Sequence, residues 1–317
     1  MCASTAGLCQ DIRMTTRLPD LTALLPSWQL SMQSENKSDG TIRTYTAGVQ
    51  GFIRWCARTG TTPELTRPIV QAFTADLLAG GAEPVTAKSR QLALKRFAAW
   101  LAAEGEIDGN PLLGLAPPKT DTKVTDTLTD DEVRRMIAAC QGKTLVNKRD
   151  EAIIRLMVET GCRAGELLAM TPGDVDVHRG IVLIRRGKGG KGRVAPFSPH
   201  TATAVDRYMR MRKTVSSERR FSDDTGPLWV GEYGKTFGYH GLHRTLKRRA
   251  ELAGIKHFHA HLLRHTAATR WLRAGGSEGG LMAIAGWKDR AMLDRYVSAS
   301  KSERAIDESR GLNLGEL

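Results

Sequence analysis

The stretch GIVLIRRGKGGKGRVAPFS, residues 180–198, is where the hydrophobic rhythm of the chain changes. Around it, apolar residues recur at helical spacing. Within it, GIVLIRR and GRVAPFS read as two short β-runs joined by GKGGK, a glycine-rich connection that suits a hairpin. The remaining pattern is helical, so the sequence reads as mainly α with a small β-sheet in its second half.

Upstream, TIRTYTAGVQGFIRWC (41–56) sets Ile42, Tyr45, Val49, Phe52 and Cys56 on one helical face. In TRPIVQAFTADLLAGG (66–81), Thr66 is placed to cap, Pro68 suits a first turn, and Gly80-Gly81 stop the helix. TAKSRQLALKRFAAWLAAEG (86–105) carries the buried stripe Leu94, Phe97, Ala98 and Leu101, with Lys88, Gln91 and Lys95 on another, polar face. Prolines, a glycine and alternating charges between 110 and 127 break the pattern and read as a linker. Beyond it, Thr129 and Glu132 have capping-box spacing, and Ile153, Ile154, Met157 and Val158 form a further core stripe. Helical patterns resume near Thr201 and run on toward the end. The expected division is a disordered lead-in at 1–18, a helical domain at 19–113, a linker at 114–127, a second domain at 128–300 and a C-terminal segment at 301–317.

The 317 residues carry 47 Lys and Arg against 34 Asp and Glu, a formal net charge of +13. A surplus of that sign favours a polyanionic partner, nucleic acid first and an anionic membrane surface second. No run approaches the ~18 consecutive apolar residues of a membrane span. The five cysteines are scattered without a CxxC pair, which points away from a disulfide framework or thiolate zinc site and toward a reducing cytoplasm.

Four places in the second half could carry chemistry. In ETGCRAGELLAM (159–170), Arg163 and Glu166 stand three apart on one face; they form either a local ion pair or a carboxylate aiming a guanidinium fork at a phosphate. In RRGKGGKGR (185–193), five of nine residues are basic, a solvated turn or a lysine presented to a nucleic-acid groove. In HAHLLRHTAATRW (259–271), His261 and Arg264 emerge one turn apart, with room for an anion between them. His257, His259, His261 and His265 invite a zinc reading, but Leu262 stands where a metalloprotease helix needs glutamate. His257 and His265 fit simple packing. Finally, AGWKDRAMLDRYV (285–297) sets Trp287 nine residues before Tyr296. GKGGKG lacks the order of an ATP phosphate loop, and no acidic cluster suits paired magnesium ions.

Taken in order, Arg-x-x-Glu, a hairpin lysine, His-x-x-Arg, Gly-Trp and a tyrosine nine residues later resemble the tyrosine recombinase (phage integrase) family. The resemblance covers residues 20–300 or so. It implies a SAM-like helical core-binding domain and a catalytic domain that together clamp DNA. It assigns catalysis to Arg163, Lys188, His261, Arg264, Trp287 and Tyr296, with Glu166 in support. Most relatives have histidine where Trp287 stands; the indole N–H still donates to a phosphate oxygen but accepts no proton.

On this resemblance, Tyr296 attacks a DNA phosphate to form a 3′-phosphotyrosyl link, conserving the bond energy for rejoining. Arg163, Arg264 and Trp287 donate to the developing negative charge, Lys188 protonates the departing 5′-oxygen, and His261 helps move the tyrosine's proton. No cofactor and no metal are expected. The implied partner is double-stranded DNA with specific recombination sites. The protein is expected to be a monomer free in solution and a homotetramer on DNA, with accessory DNA-bending or directionality factors possible partners. Arg43, Lys88 and Arg90 in the first domain and Arg244 and Arg248 in the second are the expected DNA contacts. The C-terminal segment is expected to dock on a neighbouring protomer.

The expected role is phage or mobile-element integration and excision; the roughly 20 residues ahead of the first helices are too few for the separate arm-binding domain that some phage integrases carry, so a simpler system working on core sites is expected. Chromosome-dimer or plasmid resolution is the alternative. A type IB topoisomerase and a catalytically inactive DNA-binding protein are the remaining rivals.

Overall fold

The computed structural model describes residues 19–120, 126–185, 192–216, 226–294, 296–297 and 309. The chain divides into two compact units, Met1–Asp121 and Thr122–Leu317. The lead-in at 1–18, the hairpin tip with Lys188 and nearly all of the C-terminal segment lie outside the described residues. Among the described residues, no helix is long and apolar enough to cross a membrane.

The first unit is built from α1 (Leu21–Ser34), α2 (Asp39–Thr59), α3 (Arg67–Ala79) and α4 (Pro84–Ala103). Asp20 and Ser38 cap α1 and α2 through their side chains, as short polar residues do at exposed helix starts. Thr66 stands at the start of α3 without a side-chain capping bond, so Pro68 alone marks that first turn chemically. Leu94, Phe97, Ala98 and Leu101 of α4 are fully buried, and Trp28 packs against Phe97 with ring centroids 4.8 Å apart. Close approach of α2 to α4 requires glycine: a Cβ on Gly48 would sit 2.6 Å from that of Ala93.

The polar face read on α4 is only partly a solvent face. Lys88 is exposed, but Gln91 is buried and donates to the Ala116 carbonyl at 3.2 Å. Lys95 likewise donates to the Leu115 carbonyl at 2.8 Å. These side chains hold the segment after α4 against the helix, which satisfies carbonyls that regular structure leaves unpaired.

The second unit runs α5 (Asp130–Ala138), α6 (Leu145–Thr160), α7 (Ala164–Leu168), β1 (Val175–Asp176), β2 (Ile181–Ile184), β3 (Arg193–Pro196), α8 (Pro199–Ser216), α9 (Tyr239–Leu252), α10 (Ala260–Arg273) and α11 (Glu278–Ala285). Thr129 and Glu132 form the capping box of α5 in both directions. β2 and β3 pair antiparallel, with Ile181 opposite Pro196 and Ile184 opposite Arg193. A strand absent from the sequence reading, β1, pairs with β2 to complete a sheet in the order β1-β2-β3. At two residues it is too short to show a period.

The helical pattern after Thr201 is also broken, by a short helical turn at Glu232–Gly234 bracketed by a bridge between Val230 and Thr236. Ile153, Ile154, Met157 and Val158 are all buried, and α6 is the helix around which this core is packed. A separate apolar cluster joins α10 and α11 to Trp287, Leu293, Tyr296 and Val297. Three charged side chains are buried together: Asp150 accepts from Arg149 at 3.0 and 2.7 Å and from Arg249 at 2.8 Å. This network ties α9 to α6, so Arg249 is structural, whereas its helix neighbours Arg244 and Arg248 are exposed.

Candidate active site

Helix ends deliver the site. α6 stops at Gly161, whose φ of 60° is the left-handed conformation that glycine adopts without strain. Two residues later Arg163 occupies the N-cap of α7, with its own amide donating to Glu166 Oε2 at 2.8 Å and its guanidinium to Glu166 Oε1 at 2.8 Å. Arg163 is therefore fixed at both ends by one carboxylate while its side chain stays 28% exposed.

Glu166 also serves a second arginine. Arg193, at the start of β3, donates to both carboxylate oxygens at 3.1 and 2.6 Å and to the Ile284 carbonyl at 2.7 Å. Burial alone would push the Glu166 carboxyl up; the bonds from Arg193 and Arg163 outweigh it and hold its pKa below the ordinary value. The sequence reading counted Arg193 only as part of a basic run. Its burial, opposite a carboxylate 27 residues away, is what makes it part of the site. At the other end of that run, Arg185 pairs with the buried carboxylate of Asp174.

Arg264 on α10 is 2% exposed and donates to the carbonyls of Gly161 and, at 2.8 Å, Ala285. Burial and the neighbouring Arg163 lower its pKa to about 10, which leaves it a cation at neutral pH. Both bonds go to residues at helix C-termini, where carbonyls lack intrahelical partners. Arg264 thus closes the end of α6 and the end of α11 while remaining beside Arg163.

Arg163, His261 and Arg264 line one cavity of about 240 Å³, with Tyr239, His243 and His259 at its walls. His261 presents an exposed edge, yet loss of water around its ring, together with the nearby Arg264, His259 and Arg163, holds its pKa below the ordinary 6.5. An electropositive cavity lined by two guanidinium groups and an imidazole suits a phosphate-sized anion.

The ring cluster follows. Gly286 ends α11 with φ 65°, and Trp287 comes next. The Arg264 guanidinium carbon lies 5.4 Å from the Trp287 ring centroid, and Trp287 stacks on Tyr296 at 5.0 Å with 16° between planes. Trp287 is 6% exposed, and its buried Nε1 finds no hydrogen-bond partner among the described residues. Tyr296, in helical backbone and 4% exposed, has its hydroxyl hydrogen-bonded to His265 Nδ1. His265 also meets His261 edge-to-face at 4.5 Å. The histidine on the phenol is thus His265, whose sequence setting also fits simple packing, and not His261. Its i, i+4 spacing from His261 was the available signal. Among the described residues, no group of three or more His, Cys, Asp and Glu side chains is arranged to hold a metal ion.

In the first unit, Arg43 and Lys88 are exposed on α2 and α4, and Arg90 is half-buried. The Arg90 guanidinium lies over Gly51, where a Cβ would come within 2.6 Å of it.

Residues 126–303 match the model of the phage integrase family. The chain is 32% identical over 276 residues to tyrosine recombinase XerC 2 of Ralstonia nicotianae, covering 83% of this chain and 78% of the relative. It is 28% identical over 275 residues to tyrosine recombinase XerC of Corynebacterium efficiens, covering 86% and 84%. Among solved structures, XerA recombinase is 26% identical, with a TM-score of 0.51 over 90% of this chain and 98% of that one. XerH recombinase, solved on a palindromic difH substrate, shares the fold at a TM-score of 0.70 and 18% identity, over 91% and 84%. With a family model matching more than half its length and curated relatives aligned along most of theirs, the chain belongs to the phage integrase family of tyrosine recombinases.

Proposed function

We propose that this recombinase cuts and rejoins double-stranded DNA at specific sites through Tyr296, and that its role is the resolution of dimeric chromosomes or plasmids. The observation that carries the chemistry is the convergence of Arg163, His261 and Arg264 on one cavity, with the stacked Trp287 and Tyr296 rings beside Arg264. The phosphate occupies that cavity, and the two guanidinium groups offset the charge that grows on its non-bridging oxygens. The unpartnered Trp287 Nε1 supplies a further donor. Tyr296 Oη forms the new bond to phosphorus as the bond to the 5′-oxygen breaks, and Lys188 returns a proton to that oxygen. Glu166 keeps Arg163 extended toward the phosphate, as the bidentate ends of the pair require.

Relatives of the XerC and XerD kind, at 25–32% identity over most of their lengths, support resolution over phage or mobile-element integration, the role first expected from the sequence. Arg43, Lys88, Arg90, Arg244 and Arg248 hold the duplex backbone, and four protomers assemble on paired sites. Incubating the full chain with sheared genomic DNA of the organism that encodes it, then sequencing the ends trapped on the denatured protein, tests both parts. Trapped ends at one chromosomal or plasmid site support the reading. A covalent adduct on the Tyr296→Phe chain overturns the nucleophile, and ends confined to the borders of an integrated element overturn the role.

A further inference from the structure

We propose that His265, through Nδ1, is the group that takes the proton from Tyr296 as the phenol attacks. The assignment rests on Tyr296 being the nucleophile and adds the proton acceptor.

Three observations carry it. The Tyr296 hydroxyl is hydrogen-bonded to His265 Nδ1, and the two rings lie 5.4 Å apart at 44°. Tyr296 is also fixed from another direction by the Trp287 stack, so packing as well as the bond holds its hydroxyl against His265 Nδ1. His261, the other histidine within reach, faces the cavity with Arg163 and Arg264 and touches His265 edge-on. The two histidines therefore divide the work: His261 on the phosphate side, His265 on the phenol.

The proton balance is closed. In the acceptor tautomer His265 carries its hydrogen on Nε2 and leaves Nδ1 bare. As Tyr296 Oη bonds to phosphorus, the O–H bond breaks and its proton moves to Nδ1. The P–O5′ bond breaks with its electron pair on the 5′-oxygen, which is protonated by a separate donor. The negative charge gathering on the phosphate offsets the positive charge of the imidazolium so formed. Rejoining runs the same path backwards and returns the proton to the phenolate.

The test uses the full chain and a nicked duplex built from the sequence trapped on the unaltered protein. His265→Asn places an amide near the Nδ1 position, able to hold the phenol but not to accept a proton. We expect it to bind the duplex in a gel shift and to form covalent adduct about 10²-fold or more slowly, the range of a lost general base. Replacing Tyr296 with 3,5-difluorotyrosine, a more acidic phenol, is expected to restore rate in His265→Asn by more than it changes the unaltered chain. Adduct formation within about threefold of the unaltered rate, or no differential rescue by the acidic phenol, overturns the proposal. Nitrogen-15 shifts of His265 in the unaltered chain give an independent check if the variant does not bind DNA: a bare Nδ1 is expected, and a hydrogen on Nδ1 of the neutral ring overturns it. A Tyr296→Phe chain that still forms adduct would instead overturn the nucleophile.

Discussion

Glu166 accepts Arg163 and Arg193 on one carboxylate, with Arg193 at 3.1 and 2.6 Å across both oxygens. Its folded-state pKa lies below the ordinary value, so the stability it contributes is fully present above an ordinary glutamate's pKa of about 4.3 and is lost as pH falls through the lower folded value. Glu166→Gln leaves the buried Arg193 without its counter-charge, at a cost of about 3 kcal/mol at neutral pH. Thermal melts of both chains from pH 7 downward should show a gap that narrows in acid. A gap independent of pH would mean that the carboxylate's charge is not what stabilises.

Gly286 sits where Arg193 passes. A Cβ there would meet the Arg193 guanidinium and Cδ at 3.0–3.2 Å, and the φ of 65° disfavours any side chain. Gly286→Ala should therefore destabilise the second unit by about 1–3 kcal/mol in urea titration. Because Trp287 follows directly, covalent adduct formation should fall further than DNA binding does. Equal losses in both would place the damage away from the site.

Trp287 stacks on Tyr296, and in the proposed function its buried Nε1 is the N–H that donates to the phosphate. Trp287→Phe keeps a ring for the stack and removes the donor, so cleavage of a suicide duplex should slow by about 10²–10³-fold. Trp287→His restores a donor and should recover much of that loss. Phenylalanine cleaving as fast as tryptophan would reduce Trp287 to packing.

Burial pushes the Cys140 thiol up to about 12 and the Cys162 thiol up to about 11. Neither forms thiolate near neutral pH, and both are fully buried. Iodoacetamide at pH 8 should leave both unmodified in the native protein and label both in denaturant, as read by peptide mass. Native labelling of Cys162 would mean that the end of α6 opens in solution.

Periodicity carried most of the helices. The stripe Leu94, Phe97, Ala98 and Leu101 needs only its own spacing to be recognised, and all four side chains are buried. That Gln91 and Lys95 turn their polar face to the chain itself is invisible in the period, because their acceptors are carbonyls 20–25 residues further on. β1 escaped because its only evidence is its pairing with β2. In the site, Arg163, His261 and Arg264 were legible from residue type and spacing, and they line one cavity. Arg193 and His265 were passed over: one looked like part of a charged turn, the other like filler.

By itself the sequence determined which chemical groups the chain carries, in what order, and which of them share a helix face, since those follow from a period of about 3.6 residues. Only the tertiary structure decided partnership. Which arginine Glu166 would share, which histidine would meet Tyr296, and which carbonyls would claim Arg264 depend on helix ends brought together across 21 to 103 residues. Hydrogen bonds are short-ranged and directional, so they exist only once packing has set the donors and acceptors in place.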